Sequence, residues 1–470
     1  MYRVESNKLT RIVFTLEEDA LMYEDSIIEE MIRCGMDMVR IELLTSHYKS
    51  FSALIQKLYS IAQSMNSVIS IILEVPSNYR VALGSGDVNV DKGDLLLLIV
   101  GESPTPDIEE EYRECLRLNV VAADLKNGET IWFGDEVTGE ILSFTDEWVL
   151  VKILESGTIY NKSRVKINGQ CKLSDGISEK QLENIKFAGS SGVDFVAFSF
   201  SSKNYEEEIQ TINSYMTDSV KIICRIEECI DPSSLGAIIN STQGVLVARY
   251  PMGSEMPIEK ICTYQKEIVK KCNERAKPVL ISGHVLGSLR SLPYPLRADA
   301  CDVYNGVIDG VDGFVLSSGV LGESCWRNTL EMLKNILKTA EGEIDHVDCF
   351  KKIWINSKPG VCESLASNAV KTAIELSASF IVVLGESGEM SRLIAKYRPP
   401  IPIINVSPTS KMAQQALIHR GTIPVIDNVS GYEEAVKWAH GHLKGTIVIV
   451  TDSASCNQLI GITCVESLKS

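Results

Sequence analysis

VKIICRIE at 220–227 and TQGVLVAR at 242–249 are two short apolar runs separated by helical pattern, and each ends on charged residues. Their length and β-branched content read as buried strands, and a helix between such strands implies a parallel pair with a crossover. Working outward, VDFVAFSF (193–200) precedes them, and KPVLIS (277–282) and VDGFVLSS (311–318) follow. Helical stretches separate these runs, among them PIEKICTYQKEIVKKCNERA (257–276). Nearer the N-terminus, LTRIVFTL (9–16), MDMVRIELL (36–44) and VISIILEV (68–75) alternate with helical SIIEEMIRCG (26–35) and SALIQKLYSIAQSM (52–65). Three strands and then five make eight, the number that closes a (β/α)8 barrel.

Between the two sets the texture changes. Residues 77–172 carry DLLLLIV (94–100), ETIWFG (129–134), EVTGEIL (136–142) and EWVLVKIL (147–154), with turns between them and little helical period. After about 340 an α/β rhythm restarts with ASFIVVLGESG (378–388), PIPIINVS (400–407) and KGTIVIVTD (444–452). The expected fold class is therefore α/β: a TIM-type barrel from 1–75 and 173–339, an inserted small β-barrel domain at 76–172, and an open α/β domain at 340–470.

Composition excludes several functions. The chain has 470 residues, 45% hydrophobic and 23% charged, with a net charge of −16 and a pI near 5.0. That balance disfavours nucleic acid as a partner, and no basic arm is present. No signal peptide and no run of eighteen apolar residues occurs, so no membrane span is expected. Thirteen cysteines without a CxxC pair suit reduced, mostly buried thiols in a cytoplasmic protein.

In such a barrel the strand ends carry the chemistry. Standing there are Arg40 and Glu42, Glu74, Phe198 and Ser199, Arg225 and Glu227, Arg249 to Gly253, Ser282 to His284, and Ser317. From residue chemistry alone this is an anion-binding barrel whose reaction is not specified. VARYPMGSEMP (247–257) is expected to leave its strand, turn at Gly253 and enter a helix, with Pro251 where a magnesium enzyme would want a carboxylate.

The chain resembles the pyruvate kinase family over nearly its whole length. The resemblance is carried by GMDMVR (35–40), SEKQLENIKF (178–187), VKIICRIE, MGSEMPIEK (252–260), KKCNERAKPV (270–279), RADACDVYNGVIDGVD (297–312), AKYRPPIPIINV (395–406) and HRGTIPV (419–425), in order. It implies transfer of a phosphoryl group from phosphoenolpyruvate to ADP, with magnesium and potassium, in a cytoplasmic homotetramer.

Carried over residue by residue, the resemblance thins. Arg40 matches a nucleotide-phosphate contact, and Gly253 matches the substrate-binding turn, but the next family positions have become Glu42, Leu44 and Thr45. Glu74 stands at a potassium-ligand position, Val75 replaces a threonine, and Arg80 meets the family arginine only after a one-residue shift. Arg225 stands at the family's catalytic lysine, keeping the charge in a longer, planar group. Glu227 is the retained first magnesium ligand, whereas the second is Pro251. The family threonine is Gly283, its role lost, and the glutamine after it is His284, a side chain able to act as an acid near neutral pH.

Glu228 and Glu255 are weighed as replacement ligands; as a strand neighbour of Glu227, Glu228 is expected to face the other way. The C-terminal loop GESGEMS (385–391) keeps Ser387 and Gly388 of a phosphate-cradling pattern but adds Glu386 and Glu389, which disfavours a sugar-phosphate activator.

Two functions stay open. One is a pyruvate kinase-like enzyme with impaired or altered phosphotransfer, or with a reaction needing only Glu227, Arg40 and Arg225; weak or absent magnesium and potassium binding is expected. The other is a non-catalytic partner, self-associating or forming mixed oligomers with an active paralogue.

Overall fold

The computed structural model describes residues 8–467 apart from 46, 78–80, 84–86, 101–113, 119–124, 135–136, 161–162, 168–175, 202, 218, 254–255, 322–324, 359, 385–387, 430–431 and 452–460. Eight parallel strands close a barrel: β1 Arg11–Thr15, β2 Met38–Glu42, β3 Ser70–Glu74, β4 Phe195–Phe198, β5 Lys221–Ile226, β6 Gly244–Ala248, β7 Val279–Ser282 and β8 Gly313–Leu316. Each pairs with its sequence neighbours, and β8 closes on β1 through Arg11 opposite Gly313.

Side-chain alternation sets what faces the barrel axis. Val13, Met38, Ile72, Phe195, Ala197, Ile223, Leu246, Leu280 and Val315 form one inner apolar cluster, joined by Leu417 and Ile418 of the C-terminal region. A strand repeats every two residues, so the positions two steps on share that inward face: Thr15, Arg40, Glu74 and Arg225. Polar groups thus stand above an apolar floor, at the C-terminal ends of the strands. The surrounding helices show the matching period. Tyr48–Ser64, for example, buries Phe51, Leu54, Ile55, Leu58, Ile61 and Ala62.

The inserted segment is a second closed barrel. Its strands run in the order Trp148–Ile153, Leu95–Val100, Glu114–Leu118, Val81–Leu83, Ser163–Ile167, Thr130–Phe133 and Val137–Phe144. It has its own core, with Leu96, Leu98, Ile131, Phe133, Ile141, Val149 and Val151 among its members. The chain returns to the main barrel at the helix Glu179–Ser190, which Ser178 and Gln181 cap reciprocally.

The C-terminal sheet has five strands in the order Thr422–Ile426, Ile403–Ser407, Phe380–Leu384, Gly445–Thr451 and Gly461–Ser467. The first four are parallel and the last is antiparallel. No described helix is long and apolar enough to cross a membrane. The described cysteines are all free, but the expectation that most are buried needs correction. Among the described cysteines only Cys224 and Cys272 are buried, and Cys229, Cys262 and Cys301 are exposed.

Candidate functional site

The inward-facing charges form one alternating chain across β2, β3 and β5. Arg40 reaches Glu42 at 2.7 Å and Glu74 at 2.9 Å, and its Nε donates to Thr15 Oγ1 at 3.1 Å. The other oxygen of Glu74 lies 2.9 Å from Arg225 Nε. Arg225 in turn pairs with Glu227 Oε2, and its Nη1 donates to Ser77 Oγ at 2.9 Å. The order is therefore Glu42, Arg40, Glu74, Arg225, Glu227.

A sixth charge completes it from the inserted domain. Arg164, on the strand Ser163–Ile167, places Nη2 2.6 Å from Glu227 Oε2. Both partners are desolvated, with side-chain exposures of 6% for Arg164 and 1% for Glu227.

Electrostatics follow the pairing. Burial alone would lower the Arg40 pKa, but Glu42 and Glu74 outweigh it, and the net direction is up. Arg225 moves down, chiefly through burial; Glu74 opposes the shift, while Arg164 and Arg40 add to it as like charges. A guanidinium keeps its proton in either case.

The turn after β6 departs from the sequence expectation. A short helical turn starts at Arg249 and already includes Pro251 and Gly253, rather than beginning beyond Gly253. Proline is tolerated in a first turn because its missing N–H would have no helical partner there. Arg249 fastens this turn to the end of β7, donating to the Gly283 carbonyl at 3.1 and 2.7 Å and pairing with Asp302 at 2.5 Å. Gly283 has φ +87°, and a Cβ there would lie 2.6 Å from the Tyr250 backbone nitrogen. A threonine side chain is excluded unless the turn moves. His284 is exposed, also at positive φ, with its ring 5.1 Å from that of Tyr250.

Arg225, Glu227, Ser77 and Ser199 line one narrow cleft. Glu228 is among the residues that line the same cleft. Strand β5 ends at Ile226, so two-residue alternation does not extend to Glu228. Glu255, Arg80, Glu386 and Ser387 lie outside the described residues. Gly388 has φ +70° at the start of Glu389–Lys396, and Glu389 pairs with Arg392 at 3.3 Å.

The donor set does not fit a divalent cation. Two guanidiniums form ion pairs with Glu227 Oε2, none faces Oε1, and neither oxygen accepts a well-aligned hydrogen bond among the described residues. Pro251 offers only its carbonyl, 3.5 Å from Arg164 Nη1. Among the described residues no three His, Cys, Asp or Glu side chains converge as a metal group. Glu74 gives one oxygen to each of two arginines.

The structure thus brings Arg40, Glu74, Arg225 and Glu227 into one network, with the Pro251 carbonyl facing Arg164, Gly253 on the same turn as Pro251, and Gly283 bonded to Arg249. Sequence reasoning missed Arg164, Ser77 and Thr15. Strand alternation could have found Thr15, two residues from inward-facing Val13. Nothing local marks Arg164, because its reach depends on how the inserted barrel docks.

Comparison with known proteins places this geometry. The pattern described as "Pyruvate kinase, barrel domain" matches residues 7–324, and "Pyruvate kinase, alpha/beta domain" matches 363–458. A pyruvate kinase of Dictyostelium discoideum is 28% identical over 488 residues, covering 98% of this chain and 95% of that protein. One of Bacillus licheniformis is 28% identical over 409 residues, covering 85% of this chain and 68% of that protein. The crystal structure of Cryptosporidium parvum pyruvate kinase superposes with a TM-score of 0.83 at 23% identity, covering 98% of both chains.

Proposed function

The chain belongs to the pyruvate kinase family, and from its substituted site we propose that phosphoryl transfer from phosphoenolpyruvate to ADP is impaired or lost in it. The observation that carries this reading is Glu227: the retained carboxylate at the family's magnesium position is held by Arg225 and Arg164. Three groups that would stabilise developing charge or donate a proton have changed together, at Arg225, Pro251 and Gly283. Each such group is commonly worth about 3–4 kcal/mol in the barrier, although the effects do not add. Arg40 remains a candidate phosphate contact and Gly253 a candidate substrate-turn residue, but two carboxylates already hold Arg40. Phosphoenolpyruvate, ADP, magnesium and potassium are thus weak ligands in this proposal, and the protein works in the cytoplasm.

A second reading makes the chain an oligomerisation partner of itself or of an active pyruvate kinase. The observation favouring it is a set of exposed apolar side chains on two regions. These are Ile258, Tyr294, Leu296 and Ile308 beside the barrel, and Trp354, Ile355 and Val361 in the C-terminal region. A pyruvate-forming coupled assay on the purified full chain, with magnesium and manganese each supplied, tests the first reading. Turnover at least about a thousandfold below an ordinary family member is expected; ordinary turnover overturns it.

A further inference from the structure

We infer that the inserted β domain supplies Arg164 as an internal cation to Glu227, so that a docked domain and a divalent cation on Glu227 exclude one another. The inference concerns domain docking and holds whether or not any turnover remains.

The contacts lie along one seam. Arg164 reaches across it to Glu227 at 2.6 Å. Beside it, Ser163 Oγ and Tyr250 OH share a hydrogen bond at 3.0 Å. Farther along, the Arg290 guanidinium stands 5.3 Å from the Tyr160 ring and 4.0 Å from Asp87. Tyr160, Ser163, Arg164 and Asp87 belong to the inserted domain; Glu227, Tyr250 and Arg290 belong to the barrel.

The seam contacts differ in weight. The Arg290–Asp87 pair is half exposed and worth little. Arg164 and Glu227 are buried, so separating them removes one of the two cations that compensate Glu227. The six named charges, Glu42, Arg40, Glu74, Arg225, Glu227 and Arg164, sum to zero. A divalent ion added to that set meets no net negative charge. The oxygen left to such an ion is Glu227 Oε1, and an ion there is set against the two guanidiniums on Oε2. Arg225 is fixed on the barrel's own strand β5, whereas Arg164 can move away with its domain. Arg164 is the group that leaves, and it takes the domain with it.

Manganese alone, titrated against the full-length protein and followed by electron paramagnetic resonance, tests the first half. Hydrogen exchange across 157–167 and 244–253 tests the second. Arg164→Gln is expected to tighten manganese binding at least about tenfold and to speed exchange on both sides of the seam. Arg164→Lys restores a cation and should recover much of the parent behaviour. Adding Glu227→Gln to Arg164→Gln should abolish the gain in manganese binding. Unchanged manganese affinity with unchanged exchange in Arg164→Gln overturns the inference, as does a gain that survives loss of Glu227. Should Arg164→Gln fail to fold, Tyr250→Phe weakens the seam without touching the ion pair. It is expected to tighten manganese binding about two- to fivefold, and no change there also overturns the inference.

Discussion

Glu42 and Glu74 stand directly opposite one another in the register of β2 and β3, and Arg40 bridges them. Two like charges on neighbouring strands repel, so the pairing persists only with a cation between them. Arg40→Met should remove the cation that separates the two carboxylates, leaving Glu74 to Arg225, and destabilise the fold by about 3 kcal/mol. A urea denaturation midpoint unchanged from the parent would refute this.

Restoration should be partial and ordered. Pro251→Asp returns an anionic ligand, and Arg225→Lys returns a compact charge while releasing one hold on Glu227. The double variant should gain metal-dependent phosphoenolpyruvate binding, measured by calorimetry with and without magnesium. With Arg164 still on Glu227, that gain should grow further in Arg164→Gln. No binding in the folded triple variant would show that these three positions do not by themselves set metal-dependent binding.

Gly283→Thr should not help, although the family resemblance suggests it. The backbone there has φ +87° and the new Cβ would meet the Tyr250 nitrogen at 2.6 Å. Strain of about 1 kcal/mol or more is expected, read as a lowered melting temperature with no gain in pyruvate release. A thermally neutral Gly283→Thr with raised turnover would show that the turn rebuilds freely.

Acid should weaken the protein through His419. Burial, then the charges of Arg392, Lys221, Arg11 and Lys277, hold its imidazole well below the ordinary histidine range. The unfolded chain then takes up the proton first, so this group contributes full stability above about pH 6.5 and loses it as pH falls below that value. The slope from one such group is at most about 1.4 kcal/mol per pH unit. His419→Gln should flatten urea stability between pH 7 and 5; an unchanged slope would remove His419 as the cause.

The exposed apolar residues predict self-association. Light scattering should find an oligomer, or the chain should co-purify with an active paralogue. A monomer that captures no paralogue would remove both options. Trp354→Glu with Ile355→Glu should shift any oligomer toward smaller species, since a charge on a buried face lacks compensation.

Much of this was legible because strands announce themselves. Apolar runs such as VKIICRIE have the length and composition of buried strands, and counting them located all eight. Alternation then explains why Arg40, Glu74 and Arg225 share a face. What stayed hidden depended on chain geometry without periodicity. The helical turn at Arg249–Gly253 hides in a segment with proline and glycine, which read as a simple bend. The edge strand Gly461–Ser467 follows a segment with no strong pattern. Arg164 was unreadable for a deeper reason: its partner lies on another domain, and docking is decided by surfaces rather than by local sequence.

Leu417 and Ile418 sit in the floor of the barrel although they come from the far end of the chain. Arg11 of β1 donates to the carbonyls of His419 and Thr422, tying the same segment to the first strand. The terminal region is thus a cork as much as a domain. A fragment ending at 339 would leave the underside of Val13, Ile72 and Leu280 wet, and it should aggregate rather than form a free-standing barrel. The base thus holds the first strand and the segment 417–422 to one another.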